Sequence, residues 1–200
     1  MLTYMQKMKF DVPGYHGAVL SMTKCPIDKN SPKSFWDDQH KRLAGDQYEW
    51  IHTAYDLAQA FEILVKESRE EMSSNCCDIS KPAIFLGALA IENLLKAIRI
   101  SQLSSIFNAR GEFVLDTHDL LTLVSDAGIK VSEEESVNLE RLWQFIVWAG
   151  RYPIPLFSND MRPRTLPGGG YAPRTAYPIP QVYDEIAKLI SRFKSMLPKP

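Results

Sequence analysis

Between Ser80 and Gln102 the chain places Ile84, Phe85, Leu86, Ala88, Leu89, Ile91, Leu94, Leu95 and Ile98 on nearly every side of a helix. A helix that is apolar over most of its circumference has to be covered from several directions, so the segment predicts a central helix ringed by other elements. Glu92, Lys96 and Arg99 leave it one narrow polar strip. On that strip Glu92 and Lys96 read either as an exposed i,i+4 ion pair or, more sharply, as part of a polar groove between subunits. The most apolar run, Ala83 to Leu95, contains Glu92 and Asn93 and is followed by Lys96, which makes it too short and too polar for a bilayer; no membrane association is expected. Ser80 is the expected N-cap, with Pro82 in the first turn.

The neighbours of that helix are legible by the same period. Asp46-Gln-Tyr-Glu49 has the capping-box form, and Trp50, Ala54, Leu57, Ala58, Phe61, Leu64 and Val65 follow as one apolar stripe, with Glu62 and Lys66 as an ion pair outside it. A third helix is expected from Asp116 or Thr117 through Leu120, Leu121, Leu123 and Val124 to a stop at Gly128. Ser132 to Glu135 is a second capping box, opening a helix whose Leu142, Phe145, Ile146 and Ala149 face inward and which stops at Gly150. From about Pro180 a last helix carries Val182, Ile186, Leu189, Ile190 and Phe193 and ends before Pro198. No segment alternates as a strand would. The expected fold is an all-α, about five-helix up-and-down bundle, one domain over residues 46–200.

Two stretches lie outside this pattern. Residues 1–45, with Pro13, Gly14, Pro26, Pro32 and Gly45, predict an irregular N-terminal arm. Residues 151–178 hold six prolines and Gly168-Gly169-Gly170, which predicts a long Pro/Gly/Arg-rich loop without regular structure. That loop sets Arg151, Arg162, Arg164 and Arg174 against the single acid Asp160, among Tyr152, Phe157, Tyr171 and Tyr177. Arginines interleaved with aromatics are how single-strand binders hold phosphates and stack bases.

With 45% hydrophobic and 24% charged residues the chain has the balance of a folded domain, and a net charge of -1 argues against wholesale coating of nucleic acid while leaving room for a local basic surface. Cys25, Cys76 and Cys77 are odd in number and lack C-x-x-C spacing, so reduced thiols are expected. The amino terminus has no apolar stretch of signal-peptide type, and a cytoplasmic location is expected. His16, His40 and His52 have no partners at ligand spacing, and no phosphate-binding glycine loop, dinucleotide fingerprint or nucleophile elbow occurs. No metal or other cofactor is expected.

Three pieces, taken in order, carry a resemblance: Gly87-Ala-Leu-Ala-Ile-Glu-Asn-Leu-Leu-Lys96, Thr117-His-Asp-Leu-Leu121 and Gly150-Arg-Tyr-Pro153. Together they resemble the HEPN superfamily, over residues from about 46 to 195. The resemblance implies a cytoplasmic helical bundle that forms homodimers, works with RNA or nucleotides, and belongs to bacterial defence or toxin–antitoxin systems, in some cases beside a nucleotidyltransferase as protein partner. Many members of the superfamily are metal-independent ribonucleases whose signature is an Arg followed four to six residues later by a His. Here Arg151 matches the start, but Leu156, Phe157 and Ser158 stand where the His would fall. The expected function is therefore a non-catalytic binding module, with Glu92, Lys96, His118, Asp119, Arg151 and Tyr152 at the ligand and Arg162, Arg164 and Arg174 as phosphate contacts. Two alternatives stand beside it. One is a ribonuclease in which His118 moves a proton and Arg151 stabilises phosphate charge across the bundle. The other is a structural or regulatory subunit that binds a protein through apolar helix faces.

Overall fold

The computed structural model describes residues 33–71, 79–155, 157–165, 171–172 and 181–198. The chain divides into two units, Met1–Asp37 and Asp38–Pro200. In the first, the described residues open a helix on which the Phe35 and Trp36 rings meet edge to face at 5.2 Å. The residues of the sites described below all belong to the second.

The fold is an all-α bundle. Its helices are α1 (Lys33–Gly45), α2 (Gln47–Glu71), α3 (Ser80–Gln102), α4 (Leu120–Asp126), α5 (Glu133–Gln144) and α6 (Gln181–Ser195). The central position of α3 follows from its all-round apolar surface: Ala83, Ile84, Ala88, Ala90, Ile91, Leu94, Leu95 and Ile98 are buried, and α2, α4, α5 and α6 all pack on it. Each such Leu or Ile contributes roughly 1.5–3 kcal/mol by leaving water. Gly87 lets two neighbours approach, because a Cβ there would stand 2.6 Å from Ile186 Cγ2 and 3.0 Å from Phe61 Cδ2. On α2 the predicted stripe faces inward, with Ala54, Ala58 and Phe61 buried, and on α6 Val182, Ile186, Leu189, Ile190 and Phe193 are buried as their spacing required.

The helix ends combine agreement with correction. Gly128 has φ +67, with Ile129 N–H donating to Val124 O and Gly128 N–H to Ser125 O, the two-bond left-handed stop of α4. Ser132 and Glu135 close both halves of their capping box. At Asp46 only half the box forms. Its carboxylate accepts from Tyr48 N–H at 3.0 Å, but its own N–H already donates to Leu43 O at the end of α1. Ser80 is not the cap of α3: Ile79 takes that position, and Ser80 is buried in the first turn. α4 begins at Leu120, later than Asp116, because Asp119 is its cap. Lys66 pairs with Glu70, one turn further on, in place of Glu62, at 3.9 Å.

Larger corrections concern the two irregular stretches. The arm expected to be irregular to residue 45 is helical from Lys33; its last proline is Pro32, and nothing beyond it interrupts a helix. Residues 1–32 of that arm lie outside the described residues. Within the 151–178 loop, Ser158–Met161 makes a 3₁₀ turn, and β1 (Arg164–Thr165) pairs antiparallel with β2 (Tyr171–Ala172). Their pairing needs only two residues each, below the length at which alternation shows in a sequence.

Candidate functional site

The residues singled out in the sequence fall into two clusters. The first forms on α3. Glu92 and Lys96 lie on one face a turn apart, and both are buried, at 4% and 5% exposure, rather than on an exposed strip. Lys96 Nζ lies 2.8 Å from Glu92 Oε1, and His118 Nδ1 approaches the same oxygen at 3.1 Å. Glu92 Oε2 is buried without a hydrogen-bond partner among the described residues. The His118 side chain remains 58% exposed, so with Nδ1 turned to the carboxylate, Nε2 is the nitrogen open to a ligand.

A chain of aromatic rings that the sequence did not mark as a site extends from this pair. Lys96 Nζ lies 5.5 Å from the Trp50 ring centroid, a cation–π contact from α2. Trp50 Nε1–H donates to Ala44 O at 2.9 Å, and its ring stacks on Phe113 at 5.9 Å and 11°. Phe113 meets Phe107 at 6.0 Å, and Phe107 meets His40 at 5.8 Å. Phe107 and Phe113 face each other across a small antiparallel bridge. Its turn is built by Asn108, whose Oδ1 accepts from Arg110 N–H and Glu112 N–H at 2.8 and 3.0 Å, with Gly111 at φ +77. Asn108 and Gly111 are turn residues between two phenylalanines, and that was the signal available in the sequence.

Asp119 is occupied by its own helix. Oδ1 accepts from Leu121 N–H and Thr122 N–H, and Oδ2 accepts from the Thr122 hydroxyl at 3.0 Å. It positions the start of α4, and with it His118, rather than offering acceptors to a ligand.

The second cluster lies at the end of α5. There the helix widens into a π-helical turn, Phe145–Ala149, closed by Gly150 N–H donating to Phe145 O at 3.1 Å. Such turns recur at functional positions. Buried Gln144 accepts from Trp148 Nε1–H at 2.9 Å and steadies the turn from within. Gly150 sits against α3, where a Cβ would stand 2.6 Å from Phe85 Cγ. Arg151 Nη2 donates to Val147 O at 2.8 Å, and its guanidinium lies 5.6 Å from the Tyr152 ring centroid. Beyond it Tyr152, Ile154, Phe157 and Met161 are 52%, 64%, 70% and 63% exposed. Arg162 is exposed and ends the 3₁₀ turn. Arg164 lies in β1, and Arg174 falls outside the described residues.

The structure therefore joins His118 to Glu92 and Arg151 to Val147 and Tyr152; the His118 and Arg151 side chains do not meet within the chain. Both clusters nevertheless use one side of α3. Phe85, which touches Gly150, and Glu92, which holds His118, are two helical turns apart on the same face, about 10 Å along the axis. A groove of ≈ 420 Å³ between α2 and α6, lined by Phe61, Val65, Arg69, Tyr183 and Asp184, shares no residue with either cluster.

Comparisons with protein-family models, with curated proteins and with solved structures found no match to this chain. Among the described residues no group of three or more His, Cys, Asp or Glu side chains is placed to hold a metal ion, and no helix is long and apolar enough to cross a membrane.

Proposed function

We propose that the chain is a HEPN-like module that binds single-stranded RNA through the turn after α5 and does not cleave it. The observation that carries this reading is the separate engagement of the two residues a nuclease would combine, His118 by Glu92 and Arg151 by Val147 O and Tyr152. Phosphate charge and proton transfer would have to be handled at one reacting centre, within about 3 Å of both groups. Binding needs no such convergence. Arg151 over Tyr152, followed by exposed Phe157 and Arg162, supplies cations for phosphates and flat faces for bases. HEPN-likeness is supported by the three sequence pieces, which occupy the central helix, the start of α4 and the end of α5.

The test is the binding of a labelled single-stranded RNA oligonucleotide across a salt series. Arg151→Ala is expected to lower the slope of log affinity against log salt by about 0.7, one phosphate contact on a single strand. Tyr152→Ala is expected to weaken binding by about 1–3 kcal/mol, the worth of one stacked base. Salt-independent retention, or equal affinity in all three proteins, would remove the reading.

A further inference from the structure

We infer that His118, held by the buried Glu92 carboxylate, is a proton-linked contact for a phosphate group of the bound strand. The inference rests on the RNA reading above and adds a second, switchable contact to it. Its starting point is a group the fold does not need. A buried ion pair contributes little to stability compared with apolar residues of the same volume, and Glu92 Oε2 has no hydrogen-bond partner among the described residues. What the pair does provide is a rigid carboxylate oxygen 3.1 Å from an exposed imidazole. That oxygen accepts from Nδ1–H whether the ring is neutral or charged, so the ring keeps its orientation and only Nε2 changes, from acceptor to donor. A phosphate oxygen requires the donor.

The charges around the ring leave His118 as the exposed member of the cluster. Glu92 and Lys96, both on α3, neutralise each other at 2.8 Å. On the segment carrying His118, Asp116 is exposed and Asp119 is spent on the α4 amides and the Thr122 hydroxyl. From α2, Trp50 lies 5.5 Å from Lys96 Nζ and carries no charge. No other charged side chain contacts His118 among the described residues. Protonation thus takes the cluster from neutral to one positive charge at an exposed nitrogen. Because Glu92 and Phe85 share a face of α3 about 10 Å apart, a strand lying on Arg151 and Tyr152 comes within reach of it.

The experiment measures affinity and salt slope for the same RNA oligonucleotide at about pH 5.5 and about pH 8. Wild type is expected to bind more tightly at the acid pH, with a slope steeper by about 0.7, and His118→Gln is expected to lose that difference while keeping the Arg151-dependent binding. Glu92→Gln alone would strand Lys96 in the interior, so the positioning role is tested in Glu92→Gln/Lys96→Met, which removes both buried charges; it is expected to reduce the acid gain. Equal slopes at the two pH values in wild type, or an acid gain that survives His118→Gln, would overturn the inference with the RNA reading intact. An acid gain unchanged in the double variant would overturn the role of Glu92. If RNA does not bind, the reading above fails first, and the inference is decided by inorganic phosphate at acid pH. A shift of the His118 Nε2 resonance then keeps His118 as a phosphate contact without the strand, and an unmoved resonance ends the inference.

Discussion

Around Glu92 the charges are matched inside the fold, whereas around Arg151 the chain leaves charge and apolar surface facing out. The Glu92 cluster is assembled from α2, α3, the Asn108 turn and the segment before α4. The Arg151 cluster comes from one continuous stretch beginning at Gln144. A buried pair cannot lose one partner alone without cost, while an exposed arginine resting on its own helix end can be exchanged at little cost to the fold. The difference teaches that burial marks what holds the site together and exposure marks what it presents.

The largest effect that would break this contrast is on Lys96. Lys96→Ala leaves Glu92 charged and alone in the interior and is expected to cost about 3–5 kcal/mol in denaturant unfolding. The double change Glu92→Leu/Lys96→Met is expected to recover most of that; no recovery would mean that the pair stabilises the fold on its own account. Next is the junction of the second cluster with α3. Gly150→Ala drives a methyl group into Phe85 and is expected to cost about 1–3 kcal/mol by thermal unfolding, with Arg151 displaced.

A smaller effect lies at the start of α5. Burial alone would raise the Glu135 carboxyl, but the Ser132 backbone N–H and the Arg192 guanidinium outweigh it and hold it below the usual carboxylate range. Arg192 also donates to Lys130 O at 2.6 Å, tying α6 to the turn before α5. A carboxyl lowered in the folded state contributes stability that is present above its unfolded range and lost as pH falls through the folded value. Glu135→Gln should therefore destabilise the protein at neutral pH and flatten the acid limb of its pH–stability curve. Ser132→Ala is expected to cost about 1 kcal/mol through the same cap. The smallest effect sharpens the comparison from the other side: Arg151→Ala should change stability by no more than about 0.5 kcal/mol, because its guanidinium is exposed.

The same contrast explains which parts of the molecule could be read from its sequence. Gly128, the Ser132 box and the stripe of α6 depend on residues within about three helical turns of one another, and they were legible. So was the Arg151–Tyr152 neighbourhood, since adjacent residues are neighbours in any fold. The burial of Glu92 and Lys96 was not. Their spacing fits a solvated pair equally well, and what meets them in the fold arrives from Trp50 and His118, the latter 26 residues from Glu92 along the chain. The helix Lys33–Gly45 was missed because the prolines before it set the reading of the whole arm.

The most direct test of the central claim, binding without cleavage, is to incubate the purified protein with end-labelled single-stranded RNA and read bound fraction and strand length in the same samples. Salt-sensitive retention of full-length RNA, weakened by Arg151→Ala, is the predicted result. Shortened RNA that becomes full-length again in His118→Ala, with helical content unchanged, would contradict it and make His118 a catalytic residue.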